Sequence, residues 1–245
     1  MRYQGGKSRI STQIAAIIER ERERESNTFV SLFCGTCSVE SKVKGFDKVI
    51  CNDNHEYLIE MLKGVQNGYN LPEEISEEQY KYIRDHKDEN KILSGFVGFG
   101  CSFGGKWFGG YARNKTGTNY ALQSKKSLHK DIDNMSNAEF ICMDYRNVYI
   151  PKGSVVYADP PYNNTTGYRK QKFDSEEFWE YMREISKHNK VFISEQDAPD
   201  DFECIWEKPF TRTLDVNKNN QFQVTEKLFT ILCGKPTPLG VGWIA

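Results

Sequence analysis

Val155-Val156-Tyr157-Ala158-Asp159-Pro160-Pro161-Tyr162 is an apolar run that ends abruptly in a carboxylate and two prolines. Four apolar residues closed by a turn signal read as a short buried strand. Asp159 then stands at a strand's carboxyl end, where open α/β sheets bind their ligands. The prolines fix φ and remove two backbone donors, so the turn presents carbonyl oxygens and a carboxylate, all acceptors, in a stiff arrangement suited to an amino group. An amino nitrogen conjugated to a purine ring is a poor nucleophile. Accepting both its hydrogens as it pyramidalises would localise its lone pair towards an electrophile. Tyr162 adds an aromatic face on which a base can stack. By itself an Asp-Pro-Pro turn also serves as plain loop punctuation, and the neighbouring segments decide between the two.

On the amino-terminal side, Ser11 to about Glu25 reads as a helix, with Ile10, Ile14, Ile17 and Ile18 at helical spacing and a solvated Glu/Arg tail. Thr28 to Phe33 is a strand that stops at Cys34-Gly35-Thr36, and Val39 to Lys44 is expected to start a helix. A second strand, Lys48 to Cys51, ends at Asn52-Asp53-Asn54 and leads into a helix over His55 to Gly64. This βαβ rhythm implies parallel pairing with a right-handed crossover. It returns with strands at Glu139 to Met143 and Ser154 to Ala158, a helix at Ser175 to His188 and a strand at Lys190 to Ser194. Phe210 to Asp215 and Glu226 to Cys233 then form an antiparallel hairpin across the polar Asn217 to Gln223. The expected fold is α/β, a mostly parallel sheet closed by an antiparallel hairpin.

Between Gly68 and Asn137 the pattern changes. A charged helical stretch, Glu73 to Asn90, precedes the glycine- and aromatic-rich Phe96 to Tyr111. From Gly100 to Lys130 there are six basic residues (Lys106, Arg113, Lys115, Lys125, Lys126 and Lys130) and no Asp or Glu. Residues 65–137 are therefore expected to form a small inserted domain, and residues 1–64 and 138–245 the main one. With 245 residues, one catalytic core is the expectation. No apolar run approaches the roughly 18 to 20 residues of a membrane helix, and Met1 to Ile10 lacks a signal core, which points to the cytoplasm. The seven cysteines are an odd number and read as reduced, buried small hydrophobes. Cys34 and Cys37 form a CxxC, yet no second pair or His-x3-His follows at zinc-site spacing, so no metal site is expected. The formal net charge of −1 excludes a uniformly basic coat, but it is the distribution that matters for a nucleic-acid binder.

Asp159 to Tyr162 resembles the DPPY catalytic motif of the amino-methyltransferases, which modify adenine N6 or cytosine N4. Tyr3, Gly5, Gly6 and Lys7 look like the Y-x-G-G-K signature of the Dam-like (D12 class, alpha group) DNA adenine-N6 methyltransferases. That family orders this motif, a glycine turn, a target-recognition segment and DPPY as they occur here, so the resemblance covers nearly the whole chain. It implies a Rossmann-like S-adenosyl-L-methionine-dependent methyltransferase sheet with an inserted DNA target-recognition domain. It further implies that Asp159, Pro160, Pro161 and Tyr162 are catalytic, with Asp159 also touching the cofactor. Phe33-Cys34-Gly35-Thr36-Cys37 resembles the family's F-x-G-x-G cofactor turn, Cys37 standing where the second glycine would be. Asp53 resembles the acid that accepts from the cofactor ribose, and Asp144-Tyr145 the Asp-Phe pair that meets its adenine ring. Lys7, with Tyr3 and Gly6, is expected in the cofactor site, orienting the cofactor carboxylate or lining the base pocket.

The resemblance also makes double-stranded DNA the partner and Lys106, Trp107, Tyr111, Arg113, Asn114, Lys115, Lys125 and Lys126 its contacts. The cations suit phosphates, whereas Arg113 and Asn114 suit guanine and adenine edges. The target base must be flipped, and Trp107, Phe108, Tyr111 or Tyr120 is a candidate wedge. Alternatively Phe96, Phe99, Phe103 and Phe108 form a local core. The expected reaction is direct in-line transfer without a cysteine nucleophile. An N4-cytosine or RNA amino-methyltransferase and a catalytically silent DNA-binding relative stay open. The chain is expected to act as a monomer without an obligate partner, in a bacterium or phage-infected host, within or outside a restriction-modification system.

Overall fold

The computed structural model describes residues 1–23, 25–161, 173–213 and 221–231. One sheet carries β1 (Thr28–Ser31), β2 (Lys48–Asp53), β3 (Ala138–Cys142), β4 (Val155–Ala158), β5 (Lys190–Glu195), β6 (Phe202–Thr213) and β7 (Gln221–Ile231). Their spatial order is β3-β2-β1-β4-β5-β7-β6. The first five run parallel, and β7 runs antiparallel to both β5 and β6. This is the expected Rossmann-like sheet with its closing hairpin. The chain leaves β1 towards β2 on one side and returns to β4 on the other, so a crevice opens at the carboxyl ends of β1 and β4.

Successive strand residues face opposite sides, and both sides are buried. Phe29, Val49, Val155 and Phe192 pack beneath α1 (Ser11–Glu21) and α2 (Glu56–Gln66). Val30, Ile50, Val156 and Val191 pack with Phe178 and Met182 of α6 (Ser175–Ser186). Residues 65–137 contribute α3 (Glu77–Asp85), α4 (Lys91–Gly100) and α5 (Tyr120–Ile132). Phe96, Val97 and Phe99 of α4 belong to the same core as α1, α2 and one face of the sheet.

Three elements depart from the sequence pattern. Val39 to Lys44 is a chain of turns, because Cys37 takes a left-handed φ of +58° and the Glu40 carboxylate folds inward to accept from Ser31 Oγ (2.6 Å) and Val39 N (3.2 Å). The charged helix stops at Asp85, and a separate helix, α4, takes in Phe96 to Gly100 despite its glycines. β6 begins at Phe202 instead of Phe210, its alternation disguised by a bulge between Cys204 and Trp206 and by Pro209, which is tolerated because β6 is the edge strand.

Candidate active site

The segment Tyr3 to Lys7 spans the crevice. Gly6 N donates to Tyr3 O (3.1 Å) with Gly5 at φ +83°, a turn geometry that wants glycine at its third position. At one end the Tyr3 ring lies on the glycine turn after β1, where a Cβ on Gly35 would come within 3.0 Å of Tyr3 Cε1. At the other end the buried Lys7 ammonium sits 2.8 Å from Asp159 Oδ1 and 3.5 Å from Glu226 Oε2. An ammonium removed from water needs such carboxylates. Between the ends, Gln4 N donates to Gly105 O (3.1 Å), which ties the segment to the glycine-rich stretch after α4.

The glycine turn is held from the neighbouring strand. Cys34 N donates to Asn52 O (2.7 Å), and the Asp53 carboxylate accepts from Gly35 N (3.1 Å) and His55 N (2.9 Å). Burial pushes the Asp53 carboxyl up to about 6, against the opposing pull of those backbone bonds. The Asn52 amide reaches Leu32 O and Met143 O and accepts from Met143 N, so it stitches the tips of β1, β2 and β3 together. Cys37 is fully buried, and the Thr36 hydroxyl is buried without a hydrogen-bond partner among the described residues. Phe33 packs against Tyr145 (ring centroids 5.1 Å apart) and Phe178 (6.1 Å). The Asp144 carboxylate is gripped by Arg146 Nε (2.7 Å) and Nη2 (2.6 Å), which holds it below the usual carboxylate range.

Pro160 is buried, Asp159 and Pro161 are half-buried, and Tyr162 lies outside the described residues. Two further carboxylates face Asp159. Burial, with the Asp159 charge adding, pushes Glu40 and Glu195 each to about 7. With Glu226 these acids escaped the sequence reading; the end of β5 was a signal for Glu195, whereas Glu226 lies within β7 and Glu40 in a turn, where nothing local marks them. Burial also pushes the thiols of Cys34, Cys37 and Cys51 upward, so they are poor nucleophiles. Cys142 and Cys204 are exposed, unlike the buried thiols expected. Among the described residues no group of side chains is arranged to hold a metal ion, and no helix is long and apolar enough to cross a membrane.

The basic segment folds back at a tip where Phe103 N donates to Gly110 O and Ala112 N to Cys101 O (both 2.8 Å). Gly105 in this tip rests on the Tyr3 backbone, where a Cβ would approach Tyr3 N to 2.7 Å. Phe103 projects outward and is 63% exposed. Trp107 is half-buried against His55 (4.5 Å) and Phe108 (4.7 Å), Tyr111 donates to Ile75 O (2.7 Å), and Arg2 covers the Tyr120 ring (4.1 Å). Phe96 and Phe99 are core residues, as one of the two expectations had it. Lys106, Lys115 and Lys126 are exposed. Arg113 is exposed beside Glu77 (3.0 Å), Lys125 lies against Glu73 (3.2 Å), and Asn114 braces its own loop by accepting from Thr118 N (2.9 Å).

A family model described as D12 class N6 adenine-specific DNA methyltransferase matches residues 3–95 and 105–227. The chain is similar to the type II methyltransferase M.FokI of Planomicrobium okeanokoites, with 24% identity over 212 residues, 76% of this chain and 32% of that protein. It thus spans about a third of the length of that relative. Among solved structures it is similar to a putative RNA methyltransferase from Pyrococcus horikoshii (TM-score 0.43, 9% identity, 91% of this chain and 85% of the other). It is similar also to a putative methyltransferase from Escherichia coli (TM-score 0.40, 9% identity, 94% and 90%).

Proposed function

The chain belongs to the D12 class of N6 adenine-specific DNA methyltransferases, and from that premise we propose that it methylates N6 of a flipped adenine in double-stranded DNA at the β1/β4 crevice. The observation that carries this reading is the reach of Tyr3 to Lys7, which joins the glycine turn to Asp159. Three motifs far apart in sequence thereby line one crevice at a topological switch point.

The residues at the β1 side fit a nucleoside methyl donor. The unpartnered Thr36 hydroxyl, the left-handed backbone at Gly35 and Cys37, and Asp53 at the end of β2 would hold S-adenosyl-L-methionine, Asp53 accepting from its ribose. Phe33, Asp144 and Tyr145 would border its adenine. When bound, that donor supplies an electrophilic sulfonium methyl for direct in-line transfer. Asp159 and the Pro160 carbonyl accept the two hydrogens of the target amino group and so aim its lone pair. Lys7 holds the Asp159 carboxylate in place, and Tyr162 would stack on the extruded base. No thiol takes part.

Residues 65–137 would supply target recognition. Lys106, Lys115 and Lys126 are exposed and suit phosphates, and Arg113 with Asn114 stays the candidate pair for base edges. The exposed Phe103, on a tip that rests on Tyr3, is better placed to enter the duplex than the half-buried Trp107 or Phe108. Monomeric action in the cytoplasm of a bacterium or phage-infected host belongs to the same proposal.

Asp159→Ala should abolish transfer of labelled methyl to duplex DNA while calorimetric binding of S-adenosylmethionine stays largely intact. Substantial turnover in that variant refutes the role. Mass spectrometry of the nucleosides released from wild-type product separates N6-methyladenine from N4-methylcytosine, and absence of any transfer would favour a silent DNA-binding relative.

A further inference from the structure

We propose that Glu226 is a positioning residue for methyl transfer: it shares the Lys7 ammonium with Asp159 and so moderates the pull of that ammonium on the carboxylate that receives the target amino group. The inference rests on the reading of Asp159 as the acceptor of the amino hydrogens.

Glu226 reaches the site through strand alternation. Glu226, Leu228 and Thr230 are all buried and point to one side of β7, where Leu228 packs in the core shared with Ile14 and Ile17 of α1. Because β7 runs antiparallel, its early residues lie level with the carboxyl ends of the parallel strands, and Lys227 pairs with Glu195 at the tip of β5. Glu226 is therefore the member of that buried row nearest the crevice. Packing alone would be served there by a valine or leucine. A carboxylate with a 9% exposed side chain costs desolvation that only a close cation offsets, and Lys7 lies 3.5 Å away.

The balance of charge explains what the arrangement does. Asp159 is faced by the Lys7 ammonium and by the carboxylates of Glu40 and Glu195, and Glu226 faces the same ammonium. Asp159 and Glu226 thus both draw on Lys7. Without the Glu226 charge the pull of the ammonium falls more heavily on Asp159 and draws on the lone pairs that the amino group needs. Substrate binding is untouched by that change, whereas transition-state stabilisation is lost, so the defect falls on kcat.

Steady-state kinetics of Glu226→Gln and Glu226→Asp in the full chain test this, with Asp159→Asn as companion. Glu226→Gln should lower kcat about tenfold or more, the usual weight of a lost charge-assisted contact, with both KM values little changed. Glu226→Asp, which keeps the charge, should recover most of that loss. Wild-type kcat in Glu226→Gln beside an inactive Asp159→Asn overturns the inference and leaves the reading of Asp159 standing. Equal impairment of both Glu226 variants with a lowered thermal midpoint also overturns it, in favour of a purely structural carboxylate. An active Asp159→Asn would remove the reading and the inference together.

Discussion

Cys37 holds a left-handed φ of +58°, at the position where the F-x-G-x-G resemblance would place a second glycine. The side chain is small enough to be fully buried there. A branched Cβ lacks that advantage. Cys37→Val should destabilise the protein by about 1 to 3 kcal/mol through strain at positive φ, read as a lower urea midpoint. Asp53 makes a separate prediction. Burial holds its carboxyl at about 6, so it is ionised above that pH and neutral below. Affinity for S-adenosylmethionine should fall as pH drops through about 6, because the ribose hydroxyls lose a charged acceptor. Calorimetry at pH 7.5 and pH 5 checks this, and Asp53→Asn should flatten the difference.

At the scale of elements, the packing of α4 explains why three glycines sit in its apolar stretch Gly95-Phe96-Val97-Gly98-Phe99-Gly100. Glycine inside a helix ordinarily weakens it. Here α4 lies so close to α2 that a Cβ on Gly95 would fall on the Tyr57 carbonyl oxygen and within 2.8 Å of Met61 Cβ. A Cβ on Gly98 would enter the Trp107 ring and come within 2.9 Å of Phe108. Gly95→Ala should therefore lower stability by about 1 to 3 kcal/mol, opposite to the gain that helix propensity alone predicts for Gly→Ala. The sign of the shift in the denaturation midpoint decides between them. The basic tip carries its own expectation. Alanine at Lys106 or Lys115, if each neutralises one phosphate, should reduce the slope of log K against log salt by about one without changing site preference.

For the whole molecule, the carboxyl edge of the sheet gathers more buried acid than buried base. In the folded state Asp53 titrates at about 6 and Glu40 and Glu195 at about 7, all above their unfolded values. The folded form therefore binds more protons, and these groups destabilise it progressively as pH rises from about 4 to about 7, with no further change above. His55, lowered by burial to about 4, opposes this between about 4 and 6.5, and the Met1 amine, also lowered by burial, opposes it nearer its usual range, two groups against three. The ligand-free thermal midpoint should accordingly be higher at pH 5.5 than at pH 7.5. Glu40→Gln should reduce that difference; an unchanged slope would mean that Glu40 is ionised in the fold.

The local sequence determined the parallel strands, the order of the motifs and the acceptor turn at Asp159, because apolar runs, proline and glycine act through nearest neighbours and their signals survive without tertiary context. The Y-x-G-G-K resemblance likewise marked Lys7, though nothing local told what its ammonium would meet. That was decided by the sheet order, which sets the tip of β4 and the middle of β7 beside one cation. The same holds for Glu40, whose inward turn replaced the expected helix, and for Phe103, which projects while Trp107 packs inward. A single carboxylate or aromatic residue carries no local mark of burial. Its role follows from which distant backbone passes within a few ångströms of it, and only the folded chain sets that.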